Sequence, residues 1–261
     1  MAGEVQIKAA PPPQTAPPMW DRQLIAIVLG LVIAMVVGYH SVGWGVNIAR
    51  ARPLMTPWDQ AVPFVPESVL AYSMVYSCAL YPLFVVRSRA LFVAVTQAYT
   101  WLMALSYLLF VACPVSSAAL RPPIDGLDLT RFSHWGVRLI YFADPPTNCF
   151  PSMHLSFAVL SLLSAYSARR MWGWVAAPIV TAIAVSILTM KQHYIADGVG
   201  GLALAVALWR WLVVPTARDL AAHGVTLAAT WRGPVAYAGL AAAIYAGFYG
   251  AFAAGWRPWA T

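Results

Sequence analysis

The chain has 261 residues, of which 61% are hydrophobic and only 10% are charged, whereas a soluble domain carries about 25% charged residues. So little charge cannot cover a globular surface, which excludes an ordinary soluble protein and makes lipid the solvent for much of the chain. The formal net charge of +7 does not indicate a nucleic-acid-binding protein, because the Lys and Arg residues stand singly or in pairs at the ends of apolar runs, where they anchor helices at a membrane interface.

The chain opens with a Pro-rich stretch, and residues 1–20 are predicted to form a disordered tail. The first apolar run begins after Arg22 without a cleavage site, so we predict a retained span rather than a signal peptide. Each later apolar run approaches the roughly 20 residues that a membrane-spanning helix needs. The sequence therefore predicts an all-α polytopic membrane protein, with a six-helix core at 21–214 and a connector plus an additional C-terminal transmembrane helix at 215–261. The predicted spans are 23–43, 68–86, 90–112, 152–168, 171–190, 196–214 and 234–255.

Counting spans places two long loops, 44–67 and 113–151, on the same face as the turn at 189–196. The stretch RFSHWGVRLIYF in the second loop is predicted to form a short interfacial helix. A small majority of the 16 Lys and Arg residues falls on the opposite face, which the positive-inside rule makes cytoplasmic. The long loops of this cell-membrane protein are then non-cytoplasmic, where Cys113 and Cys149 could pair, while Cys78 is predicted to fill the core.

Two short stretches place ionisable side chains at the mouths of spans, FPSMHLS at 150–156 and KQHYIADGVGG at 191–201. Such groups at membrane depth are costly and usually functional. The four-residue spacing of His193 and Asp197 predicts both side chains on one face of a helix. The carboxylate can then orient the imidazole so that its other nitrogen attacks phosphorus and forms a phosphohistidine. The alternative is an interfacial His with Asp197 as a helix N-cap.

The PSMH stretch predicts an anion site beside a second imidazole. Pro151 and Ser152 are typical of a helix start with Pro in the first turn, and the unpaired backbone N–H groups there, including that of Met153, favour an anion. Ser152 adds a hydroxyl donor. His154 lies one turn into the helix, where it can give a proton to a leaving oxygen. The alternative is an ordinary Pro-initiated span with an incidental His.

A phosphate also needs cations, and the candidates on the predicted motif face are Arg121, Lys191, Arg138 and Arg131. Arg121 follows the third span, and its planar fork suits phosphoryl oxygens. Lys191 lies two residues before His193. Arg138 is a further candidate, although within an interfacial helix it could instead contact lipid headgroups. Because these cations and a helix N-terminus can stabilise the developing charge, no metal or other cofactor is expected.

The Arg121-Pro122 pair, the PSMH stretch and the His-x-x-x-Asp pair, in this order at the edges of spans, resemble the motifs of the phosphatidic acid phosphatase type 2 superfamily. The resemblance covers about residues 23–214 and implies six transmembrane helices, with His193 as nucleophile, Asp197 as its partner and His154 as general acid. The matching positions are Arg121, Pro122, Pro151, Ser152, His154, Ser186, His193 and Asp197.

Three positions depart from the family pattern. Pro114 stands where the first motif has Lys, Met153 where the second has Gly, and Ile187 where the third has Arg. Two phosphate-binding cations of the family are therefore missing. The pattern is similar to the inositol phosphorylceramide synthase-like branch, in which the same His-His-Asp set transfers a phospho-headgroup between lipids, and the segment PWDQAVPFVPES resembles a Trp-Asp and Pro-rich loop of that branch.

The sequence thus predicts an enzyme that cleaves a phosphoryl group from a membrane lipid through a phosphohistidine. Water as acceptor gives a lipid phosphatase, which needs no second substrate pocket, whereas an alcohol acceptor gives a phosphotransferase. A metal hydrolase built on His154, His193 and Asp197 is disfavoured because no HExxH helix is present, and no Gly-x-Ser-Gly segment supports a serine protease. A noncatalytic lipid-binding or transport protein is the alternative from another class.

Overall fold

A computed structural model describes residues 21–260, so the tail predicted at 1–20 lies outside the described residues. Apart from isolated β-bridges, the described chain is built from helices, which confirms the all-α prediction. In chain order the α-helices are α1 (Arg22–Gly45), α2 (Pro57–Ala61), α3 (Val69–Ser73), α4 (Val75–Cys78), α5 (Tyr81–Val85), α6 (Arg89–Ala112), α7 (Phe132–Ala143), α8 (Met153–Ala168), α9 (Arg170–Thr189), α10 (Ile195–Leu208), α11 (Val214–Ala222) and α12 (Arg232–Ala253).

Five helical stretches are long and apolar enough to cross a membrane: α1, α6, α9, the stretch Ile195–Ala222 and α12. A π-helical turn, Trp209–Val213, joins α10 to α11 within the fourth of them. The outer helices carry apolar side chains that no protein covers, and in α1 Leu29, Ile33 and Val37 are each more than half exposed. Such faces suit lipid, and the five stretches correspond to five of the seven predicted spans.

The span predicted at 68–86 is not one continuous helix. It consists of α3, α4 and α5, with turns between them at Met74 and at Ala79-Leu80. Pro82, in the first turn of α5, has no N–H to donate to the carbonyl of Cys78. The Ser161 hydroxyl donates to that carbonyl instead, at 2.6 Å. A hydropathy pattern does not reveal such a break, because the side chains on both sides of it are equally apolar.

The helix predicted at 152–168 is the central helix α8. Its 16 residues rise about 24 Å, which is less than the ~30 Å hydrocarbon core of a bilayer. Every residue from Met153 to Ser161 is buried, because α6, α9 and α10 pack around it, so α8 need not span the lipid by itself. Ser152 caps its start by accepting from Leu155 N at 3.3 Å. Pro151 precedes this cap, so the prediction that Pro lies in the first turn is wrong.

Both long loops and the α9–α10 turn meet at one end of the bundle. Arg52 N donates to Pro114 O and Val65 N donates to Thr189 O, each at 3.0 Å. The helix α7 confirms the short helix predicted within the second loop. Cys113 is exposed, Cys149 is buried, and both are free thiols, so the two cysteines do not pair in this structure.

The C-terminal helix α12 packs against the broken segment and α7. Its Tyr237 and Tyr245 hydroxyls lie 3.3 and 2.9 Å from the hydroxyls of Ser77 and Ser73. Just beyond α12, the carbonyl of Trp256 accepts from Trp135 Nε1 of α7 at 2.8 Å. The C-terminal helix is therefore joined to the rest of the bundle by polar contacts as well as by apolar packing.

Candidate active site

Two imidazoles that are 39 residues apart in sequence face each other at the loop end of the bundle. Nε2 of His193 lies 3.2 Å from Nδ1 of His154. The other nitrogen of His193, Nδ1, lies 3.5 Å from Oδ2 of the fully buried Asp197. Both imidazoles are buried as well. The structure thus brings together the three residues predicted from the two motifs, with a carboxylate facing one nitrogen of His193 and the second imidazole facing the other.

His193 reaches this position from a turn rather than from a helix. It lies two residues before the start of α10 at Ile195, so the prediction that spacing alone places it on a helix face is wrong. Its backbone N–H donates to Ile187 O at 3.1 Å, which closes the α9–α10 turn. Asp197, in the first turn of α10, accepts from Tyr194 N at 2.9 Å. The carboxylate therefore fixes the backbone of the turn as well as facing the imidazole.

Asp59, in α2, holds the same turn from the other long loop. Its Oδ1 accepts from Ile195 N at 2.7 Å, and its backbone carbonyl accepts from Lys191 Nζ at 2.7 Å. Lys191 has a φ of 54°, which is uncommon for a residue other than Gly, and burial lowers the pKa of its amine while the Asp59 charge raises it. The predicted phosphate ligand Lys191 thus binds Asp59. Asp59 itself was missed, since its segment was noted only for a resemblance.

Arg121 connects the second long loop to the residue before His193. Its Nη2 donates to Gln192 Oε1 at 2.5 Å and to Asp144 O at 3.1 Å, and its guanidinium lies 4.8 Å from the centre of the Tyr141 ring. Within the described part of the chain, Nε of Arg121 and Nε2 of Gln192 are buried without a hydrogen-bond partner. Buried donors normally have partners, so these two nitrogens are available to an anion beside His193. Gln192 was not predicted.

Of the remaining predicted phosphate ligands, Ser152 and Met153 lie at the start of α8 beside the imidazoles, whereas Arg138 lies elsewhere. Ser152 uses its hydroxyl to cap α8, and its backbone N–H donates to Asp197 O at 3.0 Å. Met153 and His154 open α8, and the first N–H groups of a helix have no carbonyl partner within it. Arg138 is not brought to this cluster: its Nη1 pairs with Asp125 at 3.6 Å, and the Asp125 side chain is 94% exposed.

Gly201 lets α10 approach α8 closely enough to bring the two motifs together. A Cβ on Gly201 would lie 2.5 Å from the backbone oxygen of Ser152 and 2.9 Å from Oγ of Ser156. Ser156 Oγ also donates to Gly201 O at 3.0 Å. Small residues at helix contacts allow such close approach in membranes, so this glycine sets the separation of the helices that carry His154 and Asp197.

The substitution Gly201→Ala is expected to lower the free energy of unfolding by about 1–3 kcal/mol, since overpacking forces backbone shifts of that cost. It should also reduce activity by separating the two motifs. Gly247→Ala in α12 is the matched control, because a Cβ there meets nothing within 4 Å. Melting temperatures in detergent measure the difference, and equal values for the two variants would contradict the close-approach role.

The thiol of Cys149 lies in the same cluster. One ligand atom each from Cys149, His193 and Asp197 fall within 4.8 Å of one another, which is close enough to hold a metal ion. Burial, with the charge of Asp197, raises the pKa of the Cys149 thiol, and a metal would have to displace its proton. This set differs from the metal site considered from sequence, because it contains Cys149 in place of His154.

An apolar cavity of about 330 Å³ opens beside His154 and Asp144. Its volume lies within the range of about 300–1,000 Å³ typical of ligand pockets. Met35 and Tyr39 of α1, Phe157 of α8 and Phe248 of α12 contribute to its walls. The cavity lies between helices with lipid-facing apolar surfaces, and it ends at polar groups of the site.

A sequence model of the PAP2 superfamily matches residues 56–211, which is more than half of the 261 residues. No curated protein and no solved structure matches the chain significantly. The matched range contains Asp59, Arg121, His154, His193 and Asp197. The match does not distinguish branches, so the likeness to inositol phosphorylceramide synthases stays a prediction. The chain therefore belongs to the PAP2 superfamily of phosphatase-type membrane proteins.

Proposed function

We propose that the protein is a membrane-embedded lipid phosphate phosphatase that works through a phosphohistidine on His193. The observation that carries the proposal is the 3.2 Å approach of His193 Nε2 to His154 Nδ1. A phosphoryl group bound beside the two nitrogens would meet one as nucleophile and the other as proton donor. Both nitrogens are buried, and in a water-poor site fixed charges and donors act more strongly than in solution.

The first step transfers the phosphoryl group to the enzyme. Nε2 of His193 attacks phosphorus, and the bond from phosphorus to the lipid oxygen breaks. His154 gives the proton on Nδ1 to that oxygen, so the lipid leaves as an alcohol. Asp197 stabilises the positive charge that His193 acquires, as the carboxylate does in hydrolases that pair Asp with His.

The second step restores the enzyme. Water attacks the phosphorus of the phosphohistidine and gives a proton to Nδ1 of His154, and the bond from phosphorus to His193 breaks to release phosphate. Arg121 Nε, Gln192 Nε2 and the amides that open α8 would bind the phosphoryl oxygens in both steps. Together they replace the two cations that the sequence lacks relative to the family pattern.

The apolar cavity supports a lipid as the substrate. It ends at His154 and is bounded by α1, α4, α7, α8 and α12, so a hydrocarbon chain lying in it would hold the phosphate end of the molecule at the imidazoles. A water-soluble phosphate monoester would gain nothing from this surface. The occupant that fits best is the hydrocarbon chain of the substrate itself.

The experiment is to incubate purified protein in detergent with a panel of lipid phosphates and phosphodiesters, with and without alcohols such as inositol. We expect free phosphate from long-chain lipid phosphates and a smaller kcat/KM for glycerol phosphate, because it lacks the chain that the cavity holds. A new phospholipid formed only with an added alcohol would instead indicate the phosphotransferase. Lipid binding without any product would indicate a noncatalytic protein, and loss of activity with EDTA would favour a metal at Cys149.

A further inference from the structure

On the side of His154 that faces away from His193, two buried polar side chains follow one after the other, Tyr72 and Asp144. Neither residue belongs to the PSMH stretch or to the His-x-x-x-Asp pair. Nε2 of His154 lies 2.9 Å from the hydroxyl of Tyr72. The hydroxyl of Tyr72 also lies 2.8 Å from Oδ2 of Asp144, and that oxygen lies 3.7 Å from Nε2 of His154. All three side chains are buried. The contacts form a continuous path from His193 through His154 and Tyr72 to Asp144.

Asp144 is unusual because no lysine or arginine among residues 21–260 pairs with its buried carboxyl. Arg121 donates to the backbone carbonyl of Asp144 and not to its carboxyl oxygens. Burial raises the pKa of the Asp144 carboxyl, while the Tyr72 hydrogen bond and then the Arg121 charge act in the opposite direction. An unpaired buried carboxylate is costly, so a proton on Asp144 removes that cost. The titratable and charged groups that face this carboxyl are Tyr39, His40, Tyr72, Tyr76, Arg121, His154 and His193.

We propose that Tyr72 and Asp144 form a proton relay that supplies His154 and thereby lets a neutral imidazole act as the general acid. The proposal rests on the phosphatase function proposed above. A hydroxyl can donate to one neighbour while it accepts from the other. The Tyr72 oxygen therefore suits a position between a carboxyl and an imidazole nitrogen. Tyr72 and Asp144 are positioning residues in this scheme, since they act through His154 and do not touch the phosphate.

The proton count of the relay balances in both steps. As His154 gives the proton on Nδ1 to the leaving oxygen, Nε2 takes the Tyr72 hydroxyl proton and the Tyr72 oxygen takes the proton of Asp144. Asp144 ends as the carboxylate, and His154 stays neutral with its proton on Nε2. When water attacks the phosphohistidine, Nδ1 takes its proton, Nε2 returns a proton to Tyr72, and Tyr72 returns one to Asp144. His154 therefore never has to become a buried imidazolium, which would be costly.

The test compares Tyr72→Phe and Asp144→Asn on two substrates, diacylglycerol phosphate and para-nitrophenyl phosphate. The alkoxide of the lipid needs a proton to leave, whereas the aryl oxide is a good leaving group without one. We expect the rate of the first step, measured as the burst of alcohol released in a single turnover, to fall by about 100-fold on the lipid and much less on the aryl phosphate. Tyr81→Phe is the matched control, because it removes a buried hydroxyl that donates to Trp172 O at 3.2 Å and should keep full activity on both substrates.

The pH profile of the rate gives a second readout, because it would not change if Tyr72 and Asp144 had only a structural role. Since the relay needs its mobile proton, the rate on the lipid should fall as pH rises, and Asp144→Asn should lose this descending limb, while Asp144→Glu should retain it. Equal losses on both substrates, or full activity of Tyr72→Phe and Asp144→Asn, would overturn the relay and leave the phosphatase in place. If the wild-type protein released phosphate from neither substrate, the result would contradict both the relay and the proposed phosphatase function. If Asp144→Asn does not fold, the losses on the two substrates are compared with Tyr72→Phe alone.

Discussion

Replacing His193 with alanine is expected to lower phosphate release by about 10,000-fold or more, since the loss of a nucleophile removes the covalent route altogether. Lipid binding should change little, because the apolar cavity does not depend on this side chain. The imidazole is buried between His154 and Asp197, and in this proposal His154 serves only as acid and base. The rate is measured with the same lipid phosphates as the wild type.

Trapping of the intermediate separates the roles of the two imidazoles. Wild-type protein quenched during turnover of a phosphate-labelled lipid should carry acid-labile, alkali-stable label, as expected of a phosphohistidine, and His193→Ala should carry none. His154→Ala should accumulate label from an aryl phosphate, because its second step lacks the base. His134→Ala in α7 is the control: its Nδ1 accepts from Asp128 N at 3.0 Å, away from the site, so its rate should be normal. Normal phosphate release by His193→Ala would show that another residue is the nucleophile.

The sequence was sufficient to predict that His154, His193 and Asp197 come together, because both motifs lie at the mouths of spans that the count of spans places on the same face. The stretch before α8 predicts a helix start, and His193 and Asp197 are close enough in sequence that one turn brings them together. The predicted positions of His193 and of the start of α8 were wrong, because hydrogen bonds to the backbone determine both. His193 lies in the turn because its N–H bonds to Ile187 O, and α8 begins at Met153 because Ser152 is its cap.

The contacts that support the site could not be predicted from the same patterns. Asp59 meets Ile195 across 136 residues, and Tyr72 meets His154 across 82 residues. Hydropathy and spacing carry no information on such pairs, since they depend on how the helices pack. The break between α4 and α5 also escapes a hydropathy reading. Arg138 was a further candidate beside Arg121, and the fold separates the two, because Arg121 donates to Gln192 whereas Arg138 pairs with Asp125.

The substitution Arg121→Ala is expected to reduce kcat/KM by about 100–1,000-fold, which is the effect of removing one preorganised donor from a developing charge. The chain lacks two cations of the family pattern, so Arg121 carries a larger share of the electrostatic stabilisation here. Its loss would also free Gln192, the residue directly before His193. Arg121→Lys keeps the charge but loses the planar fork, so we expect an intermediate rate. Steady-state kinetics on a lipid phosphate give kcat/KM for the wild type, Arg121→Ala and Arg121→Lys.

The matched control is Arg138→Ala, which removes an arginine from the same loop region but breaks only a surface pair with Asp125. Such exposed pairs contribute about 0–1 kcal/mol, so its kinetics should match the wild type. Product inhibition separates phosphate binding from a folding defect, because inorganic phosphate competes for the same donors. In Arg121→Ala the inhibition constant of phosphate should rise in parallel with the loss of kcat/KM. An unchanged inhibition constant would mean that the phosphate is bound by other groups, and that Arg121 only ties Gln192 and Asp144 into the loop.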